Sequence, residues 1–194
     1  MNYRKKLVEA GKKLYNLGLV AGTSGNISIK ENDDSYYITP SGLSYESMKE
    51  EDIVRIHKDG SAYKKEQKPS SEWMMHLEIY KKYPNYEAIV HTHSTVATSF
   101  AVSRVNIPLI LIEMKPFLGG DIKVAPFEAA GSKELAESII PYLKDRNSCL
   151  LANHGVVSCG KDLESAFISA EYVEDAAKIY FNSRLIGNPY IIEE

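Results

Sequence analysis

The sequence predicts an α/β fold in which helices cover a mixed or mostly antiparallel sheet. Short apolar, strand-like segments recur along the 194 residues, amphipathic helical segments lie between them, and hairpin signals such as Lys58-Asp59-Gly60 separate some strands. These hairpin signals argue against a doubly wound parallel sheet. No linker, repeat or low-complexity tract interrupts the chain, so we expect residues 1–194 to form a single domain.

The first half of the chain is predicted to form an amphipathic helix followed by three strands. The helix covers residues 3–17, where apolar side chains repeat along one stripe and charged side chains lie opposite. The strands cover residues 27–29, 36–38 and 53–56. Ser44 is expected to cap a short helix that ends at Met48.

The second half is predicted to alternate helices and strands. A helix over residues 73–83 follows Ser70 or Ser71 as its N-cap and is stopped by Pro84. The remaining helices are expected at residues 95–102, 132–143 and 162–181. The remaining strands are expected at residues 88–90, 122–126, 148–152 and 156–159. Residues 187–194 are expected to form an irregular tail.

The composition is that of an ordinary globular protein, with 44% hydrophobic and 25% charged residues. A formal net charge of −3 gives no basic footprint, so we expect no nucleic-acid partner. Two cysteines are too few for a disulfide framework and favour a cytoplasmic protein. The N-terminal residues lack a signal peptide's apolar stretch, and no segment approaches the roughly 20 apolar residues of a membrane span, so no membrane association is expected.

The strongest chemical signal is a His-x-His pair directly after the apolar strand at residues 88–90. Alternate side chains of a strand share a face, so His91 and His93 project together and could form half of a divalent metal site. His154, at a strand end before a glycine, is the candidate third imidazole, and Glu72 adds a carboxylate. This set matches a catalytic zinc site. For the pair alone, hydrogen-bonded strand histidines are the alternative interpretation.

A fourth histidine, His76, lies one helical turn after Glu72 and shares its face of the helix. We expect a core or supporting histidine here, with metal ligation as the alternative. His57 lies beside a predicted hairpin turn and is assigned no role.

Small, hydroxyl-bearing turns occur three times, at residues 22–26, 39–42 and 69–72. Each one by itself is explained as an ordinary turn or helix start, but backbone N–H groups and hydroxyls that converge can hold an anion. None is a Walker loop, because no Gly-Lys-Ser/Thr follows.

Taken together, the Gly-Thr-Ser-Gly-Asn turn, the paired serines before Glu72, the His-x-His pair and Asn153-His154-Gly155 resemble the class II aldolase family of sugar-phosphate enzymes. The motifs span nearly the whole chain in the family's order. The resemblance implies a single-domain α/β/α sandwich with a mixed, largely antiparallel central sheet. It also implies a homotetramer with active sites at subunit interfaces.

The resemblance further implies a set of site residues. Glu72 would be the catalytic glutamate and also a metal ligand, beside the ligands His91, His93 and His154. The metal would be Zn²⁺ or another divalent transition metal. The substrate phosphate would contact Gly25, Asn26, Ser41, Gly42, Ser70 and Ser71. The implied reaction is the cleavage of a ketose 1-phosphate, such as L-fuculose 1-phosphate, to dihydroxyacetone phosphate and a short aldehyde such as lactaldehyde.

Two departures concern the aldehyde half of the substrate. The sequence has Glu113 where the family has a tyrosine that protonates the leaving alkoxide. The C-terminal tail ends before a second family tyrosine, and Tyr190 is the candidate substitute. The identity of the sugar therefore stays open.

Three other functions compete with this aldolase assignment. An L-ribulose-5-phosphate 4-epimerase shares the fold, but its motif resembles Ser-Ser-Asp where this chain has Ser71-Glu72; Glu113 keeps this alternative open. A non-catalytic, adducin-like interaction domain would need no metal triad, so the histidines and Glu72 argue against it. A methylthioribulose-1-phosphate dehydratase is the third alternative, and we rank it low because its sequence motifs differ from this chain around the paired serines.

Overall fold

A computed structural model describes residues 2–193 and contains, within that range, six α-helices and one seven-stranded sheet. The helices are α1 (Tyr3–Asn16), α2 (Trp73–Lys82), α3 (Thr95–Ser103), α4 (Met114–Leu118), α5 (Lys133–Ser138) and α6 (Leu163–Ile186). The strands are β1 (Asn26–Asn32), β2 (Ser35–Ile38), β3 (Val54–His57), β4 (Ala88–Thr92), β5 (Val124–Ala125), β6 (Ser148–Leu151) and β7 (Gly155–Gly160). Short 3₁₀ turns occur at Glu50–Asp52 and Ile140–Leu143.

The strand order is β3-β2-β1-β4-β7-β6-β5, and every neighbouring pair is antiparallel except the parallel pair β5 and β6. This arrangement confirms the predicted mixed, largely antiparallel sheet. Strand β4 is central, with β1 on one side and β7 on the other, and all five of its residues are buried. A central, buried strand is rigid, and the His-x-His pair begins within it.

Helices cover both faces of the sheet, because side chains alternate along each strand. On β4, Ile89 packs into the cluster that contains α2 and α5. Ala88 and Val90 point the other way, toward α1 and the start of α6. The remaining helices, α3 and α4, pack on that second face as well, against the middle of α6. The result is the predicted α/β/α sandwich.

The start of α3, directly after the His-x-His pair, is held by a carboxylate from another helix. Glu174 of α6 is 4% exposed and accepts the N–H groups of Val96 (3.2 Å) and Ala97 (2.9 Å). Ser94 sits at the N-cap without a side-chain hydrogen bond to the helix. A negative charge at a helix N-terminus is favourable, so the Glu174 carboxylate, rather than the side chain of Ser94, caps α3.

Several predicted elements differ from the structure. The short helix predicted at residues 44–48 is a turn. Of the strand predicted at residues 122–126, Val124–Ala125 joins the sheet, and Ile122 forms an isolated antiparallel bridge with Ile107. The helix predicted at residues 132–143 breaks after Ser138, because Pro141 lacks the N–H that would continue it. Helix α4 was not predicted; it is five residues long and contains a proline.

No helix within residues 2–193 combines the length and the apolar character that crossing a membrane requires.

Candidate active site

Four side chains converge where β4 leaves the sheet. The ligand atoms of Glu72, His91, His93 and His154 all lie within 4.8 Å of one another. They come from the start of α2, the end of β4 and the turn between β6 and β7. The structure therefore brings together the four residues that the sequence predicts as metal ligands.

His91 is fully buried, and its ring orientation is set by a backbone carbonyl. Its Nδ1–H donates to the carbonyl oxygen of Val156 at 2.8 Å, on the neighbouring strand β7. This bond points Nε2 into the cluster, 3.0 Å from Nε2 of His93. A backbone acceptor on the far nitrogen is the usual way to orient a metal-binding imidazole.

His154 reaches the cluster through a tight turn. Asn153 has a left-handed backbone with φ 54°, a conformation that asparagine tolerates better than most residues. Gly155 follows, and a Cβ atom there would lie 2.3 Å from the carbonyl oxygen of Thr92 and 3.0 Å from Cδ2 of His93. Only glycine lets the turn approach β4 this closely, which explains the His-Gly pair in the sequence.

Glu72 bridges two of the imidazoles. Its Oε2 lies 3.1 Å from Nε2 of His91, and its Oε1 lies 3.1 Å from Nε2 of His154. The side-chain amide of Asn26 donates to Oε2 at 2.9 Å. The carboxylate is 6% exposed, so its charge depends on these partners.

The electrostatics among these side chains favour a charged pair, Glu72 and His91, beside the neutral imidazole of His93. Burial raises the pKa of Glu72, but the charges and hydrogen bonds of His91 and His154 outweigh burial and hold the pKa well below its ordinary value. Burial lowers the pKa of His91, and Glu72 more than restores it, so the net shift is upward. Burial and the neighbouring imidazoles lower the pKa of His93 to about 3, which leaves it neutral with a lone pair available.

The donor set fits a divalent metal ion. In a tetrahedral shell with bonds of about 2.0–2.2 Å, ligand atoms lie roughly 3.4 Å apart. The separations of 3.0 and 3.1 Å within the cluster are close to that value. Oε1 of Glu72 is buried and lies 3.1 Å from Nε2 of His154, so this oxygen and this imidazole are placed to share a cation. Three imidazoles with an exchangeable fourth position are typical of catalytic sites.

The three hydroxyl-bearing turns lie side by side. The N–H of Ser70 donates to the carbonyl of Thr39 at 3.0 Å, and the N–H of Ser41 donates to the carbonyl of Lys68 at 3.1 Å. The N–H of Ile27 donates to Oγ1 of Thr39 at 3.1 Å. Ser41, Gly42 and Ser71 are exposed. The structure thus groups these turns, and their role in phosphate binding stays a prediction.

One expectation about these turns needs correction, and one side chain in them has partners inside the cluster. Neither Ser70 nor Ser71 is the N-cap of α2; Glu72 occupies that position without a capping hydrogen bond. Ser70 instead accepts the backbone N–H of Glu72 at 3.3 Å. The side chain of Asn26, grouped with the phosphate contacts from sequence, points at the carboxylate of Glu72 and at His76.

The two residues expected at the aldehyde end lie outside the cluster. Glu113 is exposed just before α4, and Tyr190 is 96% exposed in the C-terminal tail. A backbone bond of 2.8 Å from the N–H of Ile192 to the carbonyl of Leu109 places the tail beside the segment that leads to Glu113.

Comparison with known proteins identifies the family of this chain. Residues 5–181 match the sequence profile described as "Class II Aldolase and Adducin N-terminal domain". The chain belongs to the class II aldolase and adducin family. The relatives described below are named as aldolases, and this chain is a class II aldolase, an enzyme of the lyase class.

Three similar proteins illustrate the relationship. A 5-deoxy-D-ribulose 1-phosphate aldolase of Bacillus thuringiensis serovar kurstaki is 39% identical over 98% of this chain and 90% of its own. An L-fuculose phosphate aldolase of Escherichia coli strain K12 is 35% identical over 95% of this chain and 85% of its own. The solved structure of an L-fuculose 1-phosphate aldolase superposes with a TM-score of 0.94 at 37% identity, over 99% of this chain and 91% of that chain.

Proposed function

We propose that the chain is a zinc-dependent aldolase that cleaves a ketose 1-phosphate to dihydroxyacetone phosphate and a short aldehyde. The observation that carries the proposal is the convergence of three imidazoles and a buried carboxylate beside three adjoining hydroxyl-bearing turns. Zinc bound at Glu72, His91, His93 and His154 would supply the positive charge that stabilises an enediolate.

Retro-aldol cleavage breaks the C3–C4 bond of the ketose. The C4 hydroxyl loses its proton and becomes the aldehyde carbonyl, while the bonding electron pair stays on the dihydroxyacetone phosphate fragment. That fragment must then gain a proton at C3. Glu72 is the group we assign to that transfer, because it is buried and lies against the two imidazoles that would flank the substrate.

The substrate phosphate is assigned to the adjoining turns. Their donors are neutral hydroxyls and backbone N–H groups, which bind phosphate without drawing the carboxylate away from the metal-binding imidazoles. The proposed contacts are Gly25, Asn26, Ser41, Gly42, Ser70 and Ser71, with the Asn26 contact falling to the backbone because its side chain is occupied.

The sugar is proposed from the names of two relatives. A 5-deoxy-D-ribulose 1-phosphate would release acetaldehyde, and an L-fuculose 1-phosphate would release lactaldehyde; both leave the same phosphorylated fragment. The relative with the first activity is the more identical, at 39% against 35%. We therefore place the 5-deoxypentulose phosphate first and L-fuculose 1-phosphate second.

The proposed assembly is a cytoplasmic homotetramer with active sites at subunit interfaces. Support comes from large apolar side chains left uncovered on one chain, among them Ile112 (74% exposed), Phe127 (60%) and Leu185 (72%). Light scattering after gel filtration measures the mass directly, and a monomer at micromolar concentration would contradict the proposal.

The decisive experiment is a coupled assay on zinc-loaded protein. Dihydroxyacetone phosphate release is measured with 5-deoxy-D-ribulose 1-phosphate, L-fuculose 1-phosphate and L-rhamnulose 1-phosphate, and epimerisation is measured with L-ribulose 5-phosphate. Release from any 1-phosphate supports the aldolase and ranks the aldehydes. Epimerisation without release would replace the aldolase by the epimerase, and inactivity on all four, despite bound zinc, would contradict both.

A further inference from the structure

A chain of buried hydrogen bonds connects the interior of α2 to the carboxylate of Glu72. Tyr80 OH lies 2.7 Å from Oγ of Ser28, which lies 2.7 Å from Nδ1 of His76. Nε2 of His76 lies 2.5 Å from Oδ1 of Asn26, whose Nδ2 lies 2.9 Å from Oε2 of Glu72. Every group is at most 6% exposed, so solvent does not compete for these bonds.

The direction of each bond follows from the carboxylate. Glu72 in its ionised form only accepts hydrogen bonds, so Asn26 must present its NH₂ group to Oε2. The amide oxygen of Asn26 then faces His76. Since that oxygen only accepts, Nε2 of His76 must carry the proton of the ring.

The far side of the ring follows in the same way. His76 is fully buried, burial lowers its pKa to about 3, and a neutral imidazole carries one proton. With that proton on Nε2, Nδ1 is an acceptor, and the hydroxyl of Ser28 donates a hydrogen bond to it. Ser28 in turn accepts from the hydroxyl of Tyr80. All four donors therefore point toward Glu72.

We propose that His76 is a positioning residue for the proposed proton carrier: its Nε2–H holds the Asn26 amide in the one orientation that donates to Glu72. The inference rests on the proposed function for its catalytic consequence. The hydrogen-bond direction rests on the geometry of the chain of bonds, which begins at an ionised carboxylate and passes through a neutral imidazole. Without the His76 donor, the Asn26 amide can rotate by a half turn and present its oxygen to the carboxylate, which repels it.

The competing explanation is that His76 only fills the core between α2 and β1. Both explanations predict lost stability when the side chain is truncated, so stability does not separate them. The two explanations predict different turnover for variants in which His76 is replaced by a polar side chain of a different length.

A matched pair of variants exploits that difference. In His76→Gln the longer amide places an N–H near the position of Nε2 and can still reach Asn26. In His76→Asn the shorter amide stays near Ser28 and cannot. We expect turnover (kcat) to fall on the order of 100-fold in His76→Asn, as for a misplaced catalytic group, with the KM for the sugar phosphate and the zinc content near those of wild type. We expect His76→Gln to keep most of the turnover.

Equal losses of kcat in both variants, or losses that follow melting temperature alone, would overturn the proposal. Ser28→Ala and Tyr80→Phe extend the series outward from the carboxylate. The loss of kcat should decrease from His76→Asn to Ser28→Ala to Tyr80→Phe, and the reverse order would count against the proposal.

A spectroscopic measurement tests the hydrogen-bond direction without any substrate. Long-range ¹H–¹⁵N NMR of the zinc-loaded wild-type protein distinguishes the two neutral tautomers of His76 from the imidazolium. We expect the Nε2–H tautomer, and either other form would overturn the proposal even if His76→Asn fails to fold. An inactive wild-type protein with the Nε2–H tautomer would instead count against the proposed function alone.

Discussion

The two regions of this molecule that we assign to the two halves of the proposed substrate are built differently. The metal-site region comprises the end of β4, the start of α2 and the β6–β7 turn, and its carboxylate and central imidazole are 6% and 0% exposed. The tail-side region comprises residues 105–127 and 187–193. It presents Ile112 at 74%, Phe127 at 60% and Tyr190 at 96% exposure.

The difference shows what one chain completes by itself. In the metal-site region, strand pairing and a buried hydrogen bond hold His91, and a buried amide holds Glu72. All four candidate ligands therefore come from a single chain. In the tail-side region, a five-residue helix and loops leave apolar side chains without cover. If the proposed tetramer forms, the second region is where a neighbouring subunit would finish the site, and substitutions there should act on the aldehyde rather than on the metal.

The largest expected effect lies in the metal-site region. His93→Ala should lose bound zinc, with affinity lower by more than about 100-fold, because His91 and His154 leave the ion short of an imidazole. Metal analysis after gel filtration measures the zinc per chain. The matched control is His57→Ala, which removes a histidine that stacks on Tyr63 away from the cluster. Stoichiometric zinc in the purified His93→Ala protein would contradict the assignment of His93 as a metal ligand.

Glu72→Gln tests the carboxylate next. We expect it to fold and to lose turnover by about 10²–10⁴-fold, because the amide cannot carry the proton. The coupled assay measures turnover, and exchange of solvent deuterium into dihydroxyacetone phosphate measures the proton transfer without an aldehyde. Near-native rates in both assays would mean that Glu72 serves only as a ligand or helix-start residue.

A third effect concerns stability rather than turnover. The pKa of His76 is about 3 in the folded protein, below its ordinary value of 6.5, so between these values the unfolded chain binds a proton that the folded chain does not. Stability therefore rises with pH across this window and falls as the pH drops below about 6.5.

We expect metal-free wild-type protein to lose about 1.4 kcal/mol per pH unit more than His76→Gln between about pH 5.5 and 4. Urea denaturation at a series of pH values measures the slope for both proteins. Identical slopes would show that His76 takes up its proton while folded.

The smallest expected effect lies in the tail-side region. Glu113→Gln should change kcat by no more than about 10-fold and alter the preference between the two sugar 1-phosphates, leaving zinc content and deuterium exchange unchanged. Glu134→Gln, an exposed change on α5, is the matched control. A loss of zinc in Glu113→Gln would break the division between the two regions.

Local pattern determined much of the fold from sequence. The alternation of apolar residues identified most strands, and the His-x-His spacing placed His91 and His93 on one face, because side-chain direction in a strand depends only on neighbouring residues. Helix α5 was extended too far and α4 was missed, because both are short and contain or adjoin a proline.

The sequence by itself determined the candidate metal ligands, the family resemblance and the mixed, largely antiparallel sheet. Only the tertiary structure decided that His154 joins Glu72 across the sheet, that Gly155 is needed for steric room against β4, and that the Asn26 side chain serves the carboxylate. The physical reason is distance along the chain: periodicity reports which way a side chain points, whereas partners far apart in sequence meet only through strand pairing and packing.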